Sequence, residues 1–159
     1  MSGVLYAATL ATALGCGLVA GVFFAFSSFV MASLKRLPPA QGIAAMQSIN
    51  IVAVTPAFMT ALFGTAAACL GLAGWALISM GGAPLALVLI GCALYLVGAI
   101  GVTIAFNVPL NNRLEKLHPQ GAEAAGYWAK YVTTWTAWNH VRTIAALSAA
   151  ALLTVGLHV

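Results

Sequence analysis

The chain has 159 residues and a mass of 16.2 kDa, which suits a single domain. Charged residues make up 5% of it and hydrophobic residues 63%, with a mean hydropathy of +1.05, whereas an ordinary soluble domain is about 25% charged. A chain of this size keeps about 30% of its unfolded surface exposed after folding, and so few charges cannot coat that surface in water. Composition therefore excludes a soluble monomer, and the high apolar content with modest net charge excludes disorder.

The distribution of charge sets the expected architecture, an all-α membrane four-helix bundle forming one domain over residues 1–159. The first apolar run, about 4–31, carries no charge and is long enough to cross a bilayer. It lacks the basic n-region of a secretory signal, and Ala13-Leu14-Gly15-Cys16 only imitates a lipoprotein cleavage site. Lys35-Arg36-Leu37-Pro38-Pro39 ends it, because paired prolines cannot continue a helix. No further charge occurs until Arg113. Two spans fit in that interval, about 56–80 and 84–106, joined by a tight Gly81-Gly82-Ala83-Pro84 hairpin. The fourth span, about 135–157, needs the Trp-rich stretch before Val141 to reach full length. The two basic connections, about 35–50 and 107–130, then share one side. The positive-inside rule assigns them to the cytoplasm and both termini to the extracytoplasmic side. The expected setting is a multi-pass protein of a bacterial inner (cytoplasmic) membrane, with the lipid bilayer as its first partner. The sequence pI of about 9.3 follows from this topology and gives no reason to expect nucleic acid.

Several features read as packing. Ala13, Gly17, Gly21 and Ala25 recur every four residues, a spacing that lets helices approach closely in lipid. The plainer reading is contact within the bundle, and the same Gly17/Gly21 face permits a homo-oligomer. Met46, Met59 and Met80 share no face and call for no special role. Cys16, Cys69 and Cys92 sit singly in apolar spans with no C-x-x-C pair, so each reads as a small hydrophobe. Phe23, Phe24, Phe26 and Phe29 cluster near the cytoplasmic end of the first helix, as core or lipid-facing aromatics or as a surface for a flat ligand.

The polar residues concentrate where the third span ends and the fourth begins. Asn107-Val-Pro-Leu-Asn111-Asn112 is expected to close the third span, with Pro109 freeing backbone carbonyls. Asn107 and Asn111, four apart, share a face. At about 100° per residue, Trp128, Tyr131, Trp135, Trp138, Asn139 and Arg142 fall within about 60° of one stripe, and His140 falls about 140° away from it. An aromatic belt with a snorkelling arginine explains part of this stripe. It explains Arg142 less well, since an unpaired charge at the head of a span is costly and is a functional-site hypothesis. Asn107, Asn111, Asn139 and Asn50 are the amides available to it. No metal site is expected, because His118 lies in the loop before Pro119 and His158 at the extracytoplasmic end, and neither can easily meet His140.

Four segments together resemble the DUF1772 family, whose best-known branch is the anthrone oxygenases: Gly21-Val-Phe-Phe-Ala-Phe-Ser, Arg36-Leu-Pro-Pro-Ala-Gln-Gly-Ile-Ala-Ala-Met-Gln, Ala105-Phe-Asn-Val-Pro-Leu-Asn-Asn112 and Trp135-Thr-Ala-Trp-Asn-His-Val-Arg142. Ile51 and Ala137 are uncharged where relatives often carry Arg, which makes Arg142 more prominent. The resemblance implies a membrane oxygenase acting with O2 on an anthrone-type or other hydrophobic aromatic polyphenol. Such a substrate, once deprotonated, supplies the reducing electrons itself, so no cofactor is expected, although a single-His haem or metal at His140 is left open. On this reading Arg142, Asn139, Asn107 and Asn111 are the catalytic candidates. Arg142 balances anionic charge, since a guanidinium stays protonated, and the amides donate to oxygen atoms. Trp135, Trp138, Tyr131, His140 and Asn50 are the substrate-binding candidates. The rival reading is a non-enzymatic membrane binding or assembly protein whose Asn/Trp/Arg clasp is structural.

Overall fold

The computed structural model describes residues 3–158, and among them every regular element is helical. There are five helices: α1 (Gly3–Lys35), α2 (Pro39–Val52), α3 (Pro56–Ser79), α4 (Gly82–Glu115) and α5 (Ala124–Val155). By length and composition α1, α3 and α4 can each cross a membrane. The long C-terminal helix α5 packs along them, most extensively against α1. These apolar helices mark an integral membrane protein.

The side chains in contact fix an up-down-up-down arrangement. Gly15 faces Thr65 and Val22 lines a cleft with Phe58, so α1 and α3 are antiparallel. Gly91 faces Leu153 and Gly98 faces Ala145, so α4 and α5 are antiparallel as well. The α3–α4 turn needs a residue in the left-handed region, and Gly82 supplies it at φ 64°. At the opposite end Thr55 caps α3 by accepting from the Phe58 amide at 3.3 Å, with Pro56 in the first turn.

Local structure departs from expectation in the connections. The stretch 35–50 is not a simple loop, for after the paired prolines most of it forms α2. Pro39 opens that helix, where its missing N–H costs nothing. Gln47 Nε2 donates to the Leu114 and Leu117 carbonyls at 2.9 and 3.0 Å, satisfying the C-terminus of α4. Nor does α4 close at Asn107–Asn112. It continues through Pro109 to Glu115, because the turn before the proline is π-helical (Thr103–Asn107) and the Val108 amide bonds back to Thr103. This shifted pattern accommodates a ring that would clash with an ordinary i−4 carbonyl. The second connection shrinks accordingly, since α5 begins at Ala124. Both basic connections lie at one end of the bundle, tied together by Gln47 and by Gly42 against Trp128.

Two buried clusters fill the interior. One occupies the middle of the bundle and brings Cys16, Cys69 and Cys92 together from three helices. The cysteines are thus small core residues, as expected, but they are not solitary. The other cluster packs Met31, Ile43, Met46, Leu114, Trp128, Tyr131 and Trp135 at the basic end. Gly17 and Gly21 do not mediate packing within the bundle, because a Cβ at either would meet nothing within 4 Å. The close approaches are made instead at Gly15, Gly42, Gly91 and Gly98.

Candidate functional site

Arg142 sits one turn after Asn139 on α5 and is 5% exposed. Its Nη2 donates to Asn139 Oδ1 at 2.6 Å, and its Nη1 donates to Thr103 Oγ1 on α4 at 3.1 Å. The guanidinium lies over the Phe23 ring at 4.3 Å and the Trp135 ring at 5.0 Å, contacts worth about 2 kcal/mol each where water is excluded. No carboxylate is among its partners, and Nε is buried with none at all.

Arg142 lines a cavity of about 240 Å³ to which α1, α2, α3, α4 and α5 all contribute residues. Phe23, Phe26, Phe58 and Trp135 make much of its wall aromatic, and Asn50 and Asn111 add amides. Phe26, Leu62 and Thr103 each belong to a π-helical turn, at Phe26–Val30, Thr60–Gly64 and Thr103–Asn107. Three helices therefore leave regular α geometry where they border the cavity, as membrane and soluble helices often do at functional sites.

The amides play distinct parts. Asn111 Oδ1 accepts from Tyr131 Oη at 2.9 Å and from Trp135 Nε1 at 2.8 Å, which fixes the Trp135 ring against the cavity. Asn107 is buried and donates to the Trp135 carbonyl at 3.2 Å, leaving its Oδ1 without a partner. Asn139 Nδ2 donates to the Phe23 carbonyl and to Ser27 Oγ, both at 2.7 Å, so Asn139 braces Arg142 and does not line the cavity. Asn50 lies beside the Tyr131 hydroxyl, and its Nδ2 is buried with no partner in hydrogen-bond geometry. An unpaired buried donor costs about 1–3 kcal/mol, so Arg142 Nε and Asn50 Nδ2 are groups that an acceptor-bearing ligand would satisfy.

The structure thus brings Arg142, Trp135, Asn111 and Asn50 to one cavity, with Asn107, Asn139 and Tyr131 supporting them. Trp138 and His140 stand apart. Trp138 is half-buried, takes no part in the cavity lining and stacks on Phe106 of α4 at 3.6 Å, as its place at the stripe's edge allows. His140 is exposed on the opposite side of α5, as its helical angle requires. Among the described residues no group of three or more His, Cys, Asp or Glu is arranged to hold a metal ion. Met46 and Met59, which carried no expected role, line the cavity. Thr103 was also missed, although its spacing of four from Asn107 and eight from Asn111 puts all three on one face of α4.

The anthrone oxygenase family profile matches residues 57–152. The chain belongs to the anthrone oxygenase family. The match takes in the family-like segments around Asn107 and Arg142 and begins after α2, so the α1 and α2 walls of the cavity lie outside it. Neither a curated protein nor a solved structure matches the chain significantly.

Proposed function

We propose that this anthrone oxygenase family member is a membrane-embedded oxygenase that oxidises an anthrone-type or other aromatic polyphenol with O2. The observation carrying the reading is a buried arginine that has no acid beside it, has Nε unpartnered, and is flanked by aromatic rings on the cavity wall. A planar phenolate or enolate supplies the missing negative charge. Its rings suit Phe23, Phe26 and Trp135, and its oxygen atoms suit Arg142 Nε and Asn50 Nδ2. Such a pocket stabilises an anionic ground state and the superoxide-like charge that develops as O2 takes an electron.

The reaction balances without a further reductant. An anthrone methylene loses two hydrogens and gains one oxygen atom as a carbonyl, while the second atom of O2 leaves as water. The substrate carbanion provides the electrons, so we assign no metal or flavin to this step. Deprotonation requires a base. The cavity lining contains no carboxylate or histidine, so the proton passes to water or is lost before binding.

The proposed topology has four spans, α1, α3, α4 and α5, with both termini extracytoplasmic and the basic end in the cytoplasm. A bacterial inner membrane suits it. The ligand is a hydrophobic small molecule and not nucleic acid, and the outward Gly17/Gly21 surface leaves room for a second copy. The alternative, a non-enzymatic binding or assembly protein, draws on the full use of Asn139 as a brace between α1 and α5. It leaves the unpartnered Arg142 Nε without a purpose. Oxygen uptake by the purified protein tests the choice. An enzyme consumes one O2 per quinone formed from anthrone, above the rate in protein-free detergent, and an assembly protein leaves that rate unchanged.

A further inference from the structure

A second groove lies between α1 and α5, outside the Arg142 cavity and independent of the oxygenase reading. It measures about 320 Å³ and contains Lys35, His140, Thr133 and Thr136. We propose that it binds the headgroup phosphate of an anionic phospholipid.

The chemistry of the lining carries the assignment. Lys35 is a cation, His140 adds a ring nitrogen donor, and no residue lining the groove is acidic. Thr133 Oγ1 is occupied by the Ala129 carbonyl at 3.2 Å. Thr136 Oγ1, by contrast, is buried with no hydrogen-bond partner. A hydroxyl one turn along an α-helix ordinarily bonds back to its own backbone, so an unpartnered one beside a cation is a donor awaiting an acceptor. The two non-bridging oxygens of a phosphodiester match Lys35 Nζ and Thr136 Oγ1, with His140 at the rim.

The rest of the groove distinguishes a lipid from a free anion. Met31, Val132 and, at the exposed edge, Ala137 make part of the lining apolar, which is of no use to inorganic phosphate and seats the glycerol and upper acyl carbons of a lipid. The groove also lies at the bundle's basic end, beside Lys35 and Arg36, where the attraction between basic residues and anionic leaflet lipids is strongest. Its inner wall is Ser27, whose Oγ accepts from Asn139. A bound headgroup would therefore abut the brace that holds Arg142.

Native mass spectrometry of the detergent-solubilised protein tests this. Phosphatidylglycerol and phosphatidylcholine with the same acyl chains are titrated, and inorganic phosphate is added as competitor. The proposal predicts preferential retention of phosphatidylglycerol that phosphate does not displace. A Lys35→Gln/His140→Gln double variant should lose about tenfold in retention, and Ala137→Trp, which crowds the apolar edge without changing charge, should lose retention too. Arg36→Gln removes a neighbouring charge outside the groove and should retain the lipid. Equal retention of both lipids, an equal loss in Arg36→Gln, or displacement by phosphate would each overturn it. Since these are exposed positions, the variants are expected to fold, and their folding is checked by the unchanged thermal midpoint.

Discussion

Asn139 and Arg142 form one unit: the amide oxygen of the first accepts Nη2 of the second at 2.6 Å, while the amide nitrogen ties both to α1 at Phe23 and Ser27. The arginine that faces the cavity is therefore aimed by a neighbour that never reaches it. Asn139→Ala removes the acceptor and two interhelical bonds. It should lower stability by about 2–3 kcal/mol, read as a fall in the thermal midpoint in detergent. Asn139→Asp keeps the acceptor for Arg142, gives up the Nδ2 bond to the Phe23 carbonyl, and brings a carboxylate to the guanidinium in compensation. The protein should stay folded while its affinity for a phenolate ligand such as 1,8-dihydroxyanthraquinone falls. Unchanged affinity in Asn139→Asp would mean that Arg142 does not meet an anion.

Arg142→Lys separates charge from geometry. An ammonium keeps the positive charge but cannot span Thr103 and Asn139 while lying flat between Phe23 and Trp135. Affinity for the same ligand should drop by about tenfold, the loss of one charged hydrogen bond. Titration by tryptophan fluorescence quenching measures it. Full affinity in the lysine variant would reduce the role of Arg142 to charge alone.

The two tryptophans that share a stripe should behave differently. Trp135→Leu removes the ring under the guanidinium and the indole bond to Asn111, and substrate turnover should fall at least about tenfold. Trp138→Leu removes only a stack on Phe106 and should leave turnover near wild type. Comparable losses in both would place the ligand elsewhere.

Gly42 and Gly17 offer a packing test. A Cβ on Gly42 would sit 2.7 Å from the Trp128 ring and 3.0 Å from the Leu34 carbonyl, so Gly42→Ala must push α2 away from α5. A loss of about 1–3 kcal/mol is expected. Gly17→Ala meets no atom within 4 Å and should be neutral in the monomer. If Gly17→Ala destabilises the protein in a concentration-dependent way, that face carries a second copy.

Much of this was legible in the sequence because charge scarcity and helical period are local signals. The absence of charge between Arg36 and Arg113 left room for two spans, Gly81-Gly82-Ala83-Pro84 located the α3–α4 hairpin, and the 100° spacing put Trp135 and Arg142 on one side of α5 and His140 on the other. What the period could not resolve was the edge of the stripe. Trp138 lies at an angle where a modest rotation decides between cavity and lipid, and the position of Phe106 on another helix settled it away from the cavity. The connections were read too loosely because prolines were treated as stops, whereas Pro39 starts a helix and a π-helical turn carries α4 past Pro109. Met46, Met59 and Thr103 join the cavity through tertiary packing among three helices, and no single-helix pattern reports that.

The central claim is that Arg142 stabilises an anionic aromatic while O2 oxidises it. Anthrone-dependent oxygen uptake by purified wild-type protein and Arg142→Ala, with the thermal midpoint recorded for both, tests it most directly. The account predicts uptake matched by quinone formation in the wild type, and a fall to the protein-free rate in a folded Arg142→Ala. Equal uptake by the two proteins would contradict it.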